Sequence, residues 1–221
     1  MTEREREILL RPIFKAAIFD LDGVLVDTAK YHYLAWRELA EKLGFAFTKE
    51  DNERLKGVSR ARSLEILLEV GGVTLSPAEF ARATQEKNDR YVAYISDMDE
   101  SEILPGAKEY LLYLRNSGVK TALGSASKNA PLILKRLGLY PYFDGIADGN
   151  NVSRPKPAPD VFLAAARLVD ELPCGCAVFE DAEAGVEAAK AAGMYCVGIG
   201  NRKMLAGADI VIEGFSDFIG L

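Results

Sequence analysis

The chain has 221 residues, enough for one sizeable hydrophobic core with or without a small second module. Apolar residues make up 49% and charged residues 27%, a balance that excludes extended disorder. The formal net charge of -6 argues against nucleic acid or an anionic membrane as partner, so an anionic ligand has to be held by local cations.

Residues 1–12 alternate acids and bases and hold no apolar run of secretion-signal length. No stretch of the chain approaches a membrane span, and a cytoplasmic protein is expected. Residues 15–20, ending in Asp20, form a short continuous apolar run, the pattern of a strand buried on both faces of a parallel sheet. From 28 to 97 the pattern is helical with no convincing strand. Residues 31–43 carry Leu34, Leu39 and Leu43 at helical spacing. Ser59 caps a second helix with Leu64, Leu67 and Leu68 on one face. Ser76-Pro77-Ala78-Glu79 is a capping box that opens a long helix to about residue 95.

Alternation then sets in. A helix at 107–116, opened by Pro105-Gly106 and closed by Gly118, precedes a strand at 119–123 that runs into Gly124-Ser125-Ala126-Ser127. Asn129-Ala130-Pro131 opens a helix that Gly138 stops, and 159–169 forms another. A strand at 177–179 runs into Glu180-Asp181, a helix at 183–192 is closed by Gly193, and strands follow at 195–199 and 210–212. Strands alternating with helices predict an α/β fold, a doubly wound parallel sheet. The expected division is a catalytic core of 1–27 and 98–221 with an inserted all-helical cap at 28–97. The three cysteines, Cys174, Cys176 and Cys196, lack framework spacing, and Cys174-Gly175-Cys176 has no second pair to complete a metal clip. They are read as reduced thiols in or near a strand.

The chemistry concentrates at the ends of the apolar runs. In Asp20-Leu21-Asp22-Gly23-Val24, two acids at i and i+2 point to one side, and ligands of open parallel sheets bind beyond such strand ends. Neighbouring carboxylates repel, so the pair calls for a metal, a proton or both. This suggests Asp20 as ionised nucleophile and metal ligand and Asp22 as general acid and base. Glu180 and Asp181 add hard oxygen ligands suited to Mg²⁺. Lys156 is a cation on a loop stiffened by Pro155 and Pro157. Ser125-Ala126-Ser127 offers hydroxyls and backbone N–H groups as a phosphate cradle. Each piece alone has a bland reading as a strand-end turn or solvated charge; their succession at strand ends is what carries weight.

Taken together, Phe19-Asp20-Leu21-Asp22-Gly23-Val24-Leu25, Ser125, Lys156 and Glu180-Asp181 resemble the four motifs of the haloacid dehalogenase superfamily, in order, over nearly the whole chain from Phe14. The resemblance implies a Rossmann-like core and an aspartyl-phosphate on Asp20. It implies Mg²⁺ held by Asp20, the backbone carbonyl of Asp22 and Asp181, with Glu180 close by, and Lys156 offsetting charge between nucleophile and phosphate. The stretches 28–36, 55–60, 87–89, 125–129 and 154–160 are similar to the β-phosphoglucomutase branch. There the residues matching Arg60, Ser127 and Asn129 hold the far phosphate of a bisphosphate, and those matching Thr28, His32 and Lys87 couple cap closure to the acid/base. Gly57, Val58, Ser59, Ser125, Ala126 and Trp36 complete the expected substrate-binding set, although Trp36 also reads as cap core. His32, the single histidine, lies one turn after Thr28; by default a lone histidine is structural, and the resemblance moves it to function. Ala182 stands where family members often carry Ser. The implied reaction interconverts β-D-glucose 1-phosphate and glucose 6-phosphate through a 1,6-bisphosphate, on a monomer. The alternative is a Mg-dependent sugar or polyol phosphate phosphatase, and a non-catalytic phosphosugar-binding module is a third reading that an intact nucleophile disfavours.

Overall fold

In a computed structural model of the chain, which describes residues 2–55 and 58–220, the elements run as follows. Helix α1 (Glu3–Leu10) precedes strand β1 (Ala16–Phe19). Four helices follow: α2 (Ala29–Lys42), α3 (Lys49–Glu53), α4 (Arg60–Gly71) and α5 (Pro77–Ser96). The alternating part comprises α6 (Ala107–Asn116), β2 (Lys120–Gly124), α7 (Ala130–Arg136), β3 (Gly145–Ala147), α8 (Asp160–Leu168), β4 (Cys176–Glu180), α9 (Glu183–Ala191), β5 (Tyr195–Ile199) and β6 (Ile210–Ile212). The six strands form one parallel sheet in the order β3-β2-β1-β4-β5-β6. This is a doubly wound sheet, and the order reverses at β1, whose two neighbours are β2 and β4. A ligand crevice lies beyond the strand ends at such a switch point.

The continuous apolar runs are explained by packing on both faces. Successive side chains of a strand point to opposite sides. Ala17 and Phe19 of β1, with Ala177 and Phe179 of β4, join the cluster under α6 and α7. Ala16 and Ile18, with Cys176 and Val178, join the cluster under α8 and α9. Phe19 stacks on Phe179 at 4.7 Å between ring centroids. The helices at 28–97 carry a cluster of their own, built on Trp36, Leu39, Leu64 and Leu67, while Ala35, Tyr91 and Ile95 join the sheet's first cluster.

Several expectations are refined. Three elements escaped the sequence reading: α1, α3 and the edge strand β3. The helix expected at 31–43 begins two residues earlier. The two segments of chain that enter and leave the helical block are paired with each other, just before Asp27 and after Met98: Val26 bridges Ile103 in antiparallel fashion, and Leu104 N–H donates to Leu25 O at 3.0 Å. The cysteines are free thiols, with Cys176 and Cys196 buried in strands and Cys174 exposed just before β4. Among the described residues, no helix is long and apolar enough to cross a membrane.

Candidate active site

The end of β1 delivers Asp20, buried to 6% exposure, and the end of β4 delivers Glu180, fully buried. Lys156 arrives on the loop before α8 and lies between them, its Nζ 2.6 Å from Asp20 Oδ1 and 2.8 Å from Glu180 Oε2. Burial opposes charge on Lys156, but the Asp20 and Glu180 carboxylates overcome it and hold the ammonium above the usual lysine range. Burial, with help from the Asp20 charge, pushes the Glu180 carboxyl up to about 7 against the pull of Lys156. Glu180 Oε1 accepts the Ala182 backbone N–H at 3.1 Å. Both Glu180 oxygens are therefore engaged in orienting Lys156 and the turn. The side chain at 182 plays no part in that bond, so the Ser-to-Ala departure leaves it intact.

One oxygen each of Asp20, Glu180 and Asp181 lie within 4.8 Å of one another. Three hard carboxylates at this spacing fit a small dication. The backbone makes room for them. Gly23 has φ +81°, and a Cβ there would stand 2.0 Å from Asp181 Oδ2, so glycine serves both the turn and the approach of Asp181. A Cβ on Gly185, in α9, would stand 2.0 Å from Glu180 Cδ. Gly185 is a site residue that sequence reasoning missed.

Asp22 follows in the same turn. Thr28 occupies the N-cap position of α2 yet makes no side-chain cap bond. Its hydroxyl instead donates to Asp22 Oδ1, a bond between the first residue of the helical block and the second acid. Burial, then the Asp20 charge, raise the Asp22 carboxyl to about 6, with Thr28, Lys156 and Lys87 pulling the other way.

Opposite this cluster, Lys87 of α5 is 2% exposed, with Nζ 2.9 Å from His32 Nδ1, 4.5 Å from the Trp36 ring and 4.7 Å from the Tyr91 ring. Burial, then the Lys87 and Arg60 charges, hold the His32 imidazole well below its ordinary pKa. Burial, then Arg60, likewise lower Lys87. An ammonium can only donate, so charged Lys87 leaves the His32 proton on Nε2. Tyr91, with its ring centroid 4.0 Å from that of His32, was also missed, although it lies one turn after Lys87 on the same helix face.

A cavity of about 1270 Å³ unites the two sides. It is lined by Asp20, Asp22 and Asp181, by Ser125, Ala126, Ser127 and Asn129, and by Trp36, Val58, Ser59, Arg60, His32 and Lys87. Thr28, Lys156 and Glu180 are buried and do not line it. Gly57 lies outside the described residues. Ser59 also caps α4 through the Arg62 N–H, and Trp36 is at once core and lining. After β2 the turn is organised by its own hydroxyls: Ser125 Oγ accepts Ser127 N–H at 3.1 Å, and Ser127 Oγ accepts Asn129 N–H at 3.2 Å.

The profile of the haloacid dehalogenase-like hydrolase family matches residues 14–193. The chain belongs to that family. Among its relatives, the β-phosphoglucomutase of Bacillus subtilis is 45% identical over 92% of this chain and 91% of its own length. A phosphorylated carbohydrates phosphatase of Thermotoga maritima is 34% identical over 81% and 82%. A crystal structure of β-phosphoglucomutase from Clostridium difficile superposes with a TM-score of 0.89, at 42% identity and 92% coverage of both chains. The matched span covers the sheet described above, and Asp20, Asp22 and Asp181 beyond its strand ends line the cavity.

Proposed function

We propose that the chain is a phosphotransferase that interconverts β-D-glucose 1-phosphate and D-glucose 6-phosphate through an aspartyl-phosphate on Asp20 and a sugar 1,6-bisphosphate. The observation that carries this reading is the Thr28–Asp22 bond: the acid/base group is tied to the helical block that also brings Lys87, His32 and Arg60 to the cavity. A β-phosphoglucomutase sharing 45% of the residues over almost the full chain supports the same reading.

In one half-reaction an Asp20 oxygen bonds to phosphorus as a sugar oxygen–phosphorus bond breaks; in the other a sugar hydroxyl oxygen bonds to phosphorus as the Asp20 oxygen–phosphorus bond breaks. Lys156 engages Oδ1, and Oδ2 has no hydrogen-bond partner among the described residues, which suits it for attack. Asp22 supplies the proton to the leaving sugar oxygen, and in the opposite direction removes it from the attacking hydroxyl. A carboxyl near 6 is matched to giving and taking a proton close to neutrality. Asp20, Asp181 and the Asp22 backbone carbonyl would hold Mg²⁺, which when bound supplies positive charge against the equatorial phosphoryl oxygens. Glu180 keeps Lys156 in place. Arg60, Ser127 and Asn129 would take the distal phosphate, while residues 28–97 act as a cap that excludes water, since an acyl phosphate is open to hydrolysis.

A phosphatase of sugar or polyol phosphates shares the same floor, and relatives named as phosphatases favour it as the second reading. The decisive experiment follows glucose 6-phosphate and inorganic phosphate side by side from β-glucose 1-phosphate with Mg²⁺, with and without the 1,6-bisphosphate. Glucose 6-phosphate in large excess, with a lag removed by bisphosphate, is expected. Dominant phosphate release with no bisphosphate effect would establish the phosphatase.

A further inference from the structure

Asn129, at the end of the Ser125–Asn129 turn, does more than face the cavity. Its Nδ2 donates to Asn88 Oδ1 at 3.0 Å, joining the post-β2 turn to α5. The hydrogen bonds by which Thr28, Lys30 and Tyr31 tie the helical block to Asp22 and Glu102 lie at the block's start, beside the paired crossings. Asn88 is different. It sits on α5 eight residues before the helix ends at Ser96, about 12 Å along the helix axis at 1.5 Å per residue. A contact that far from a crossing opposes rotation of the block with a lever arm that contacts at the crossing lack. Asn88 also directly follows Lys87, whose Nζ holds His32.

An amide nitrogen carries two hydrogens. One of those on Asn129 goes to Asn88, and the other remains for a ligand oxygen in the cradle formed with Ser127. We propose that Asn88 is a positioning residue that couples occupancy of the distal-phosphate cradle to closure of the helical block. An anion accepting the second hydrogen fixes the Asn129 amide plane, and the fixed plane presents its first hydrogen to Asn88. α5 is thereby held down with Lys87 and His32 over Asp22. A ligand with no distal phosphate leaves the amide free to turn and the block unlatched. The inference rests on the proposed function for the identity of the anion, but the coupling itself does not require the mutase reaction.

The test therefore has two arms. The first is amide hydrogen exchange over residues 84–92 and 125–130, with and without glucose 1,6-bisphosphate. Wild type gains protection in both segments. Asn88→Ala keeps the gain at 125–130 and loses it at 84–92. If Asn88→Ala gains protection at 84–92 as wild type does, the coupling is wrong whatever the reaction turns out to be. The second arm is turnover. Asn88→Ala is expected to lower the ratio of glucose 6-phosphate to inorganic phosphate by about 2- to 10-fold, the range of one neutral hydrogen bond. Hydrolysis of an aryl phosphate, which carries no distal phosphate, and the melting temperature both stay at wild-type values. In an Asn129→Ala background, Asn88→Ala adds nothing, because the residue acts through Asn129. An undiminished effect there, or an equal loss on the aryl phosphate, overturns the assignment. A wild-type protein that makes no glucose 6-phosphate overturns the mutase reading alone, and the exchange arm still decides the latch.

Discussion

In the proposed function, the two acids of the first strand end would divide their work by environment. Asp20 is clamped by Lys156, whereas Asp22 is raised to about 6 by burial and by Asp20. Their substitutions should therefore separate by leaving group. Asp20→Asn should abolish turnover of every phosphate ester, because an amide is a far poorer nucleophile. Asp22→Asn should lower sugar phosphate turnover by about 10²–10⁴-fold, the usual worth of general acid–base help. On a 4-nitrophenyl phosphate, whose leaving group needs no proton, the loss should be much smaller. Equal losses on both substrates in a steady-state assay would remove Asp22 from the acid role. Gly185 gives a second test. Alanine favours an α-helix interior over glycine by about 1 kcal/mol. Against that, the new Cβ would fall 2.0 Å from Glu180 Cδ, and Glu180 has both oxygens bonded and no exposed surface through which to yield. Overpacking at about 1–3 kcal/mol wins, so Gly185→Ala should lower the melting temperature and activity together. Asp20, Asp22, Lys156 and Glu180-Asp181 were legible in the sequence because each ends an apolar run or sits beside a proline. Gly185 and Tyr91 were not, and Asn88 stood in a matching stretch without a role, because their importance lies in what another segment places against them.

At the scale of elements the same contrast appears. The strands with apolar runs buried on both faces were legible, while β3 is only Gly145–Ala147 at the sheet edge, too short to show a period. Helix α1 is mostly charged, and its reason for existing is tertiary: Leu9 is fully buried, and the Tyr110 and Tyr113 hydroxyls donate to the backbone oxygens of Leu9 and Leu10. Its one local signal was the Thr2–Glu5 capping box. Helix α1 also reaches the far end of the chain. Glu5 Oε1 accepts from Arg202 Nη2 at 2.7 Å, and that nitrogen also donates to Val211 O at 2.8 Å. Arg202 belongs to the loop after β5, whose neighbours Asn201 and Lys203 line the cavity. The Arg202 hydrogen bond, helped by the Thr2 N–H, holds the Glu5 carboxyl at about 2 instead of 4.5. A lowered carboxyl stabilises the fold fully above its unfolded value and stops doing so as pH falls through its folded value. The stabilisation is therefore present above about pH 4.5 and fades toward about pH 2. Glu5→Gln should melt below wild type at neutral pH, with the gap closing over that window. A gap that does not vary with pH would mean that α1 is held by Leu9 and the tyrosines alone.

At the scale of the whole molecule, the proposed function poses an electrostatic problem: how a protein of net charge -6 would gather a ligand with two phosphates. The long-range field is unfavourable, so affinity has to come from cations already inside the cleft. Arg60 opens α4 and lines the cavity, and its charge reaches both Lys87 and His32, since it lowers the pKa of each. Three cationic or polar groups on one side of the cavity, with Asp20, Asp22 and Asp181 on the other, are poorly balanced when the cavity is empty. An anion entering between them relieves the repulsion between Arg60 and Lys87. On the proposed function, closure would thus be favoured by a ligand that carries a distal phosphate, and disfavoured by water alone. That asymmetry is what mutase chemistry needs, because a phosphorylated Asp20 must wait for a sugar hydroxyl instead of reacting with solvent. Arg60→Ala should accordingly weaken use of the 1,6-bisphosphate by about 1.5–3 kcal/mol, the scale of a hydrogen bond to a charged group. It should also shift product from glucose 6-phosphate toward inorganic phosphate, while hydrolysis of an aryl phosphate stays near the wild-type rate. The measurement is the Michaelis constant for bisphosphate together with the product ratio over one time course. If Arg60→Ala leaves both unchanged, the distal phosphate is held elsewhere in the cavity and the helical block closes for another reason.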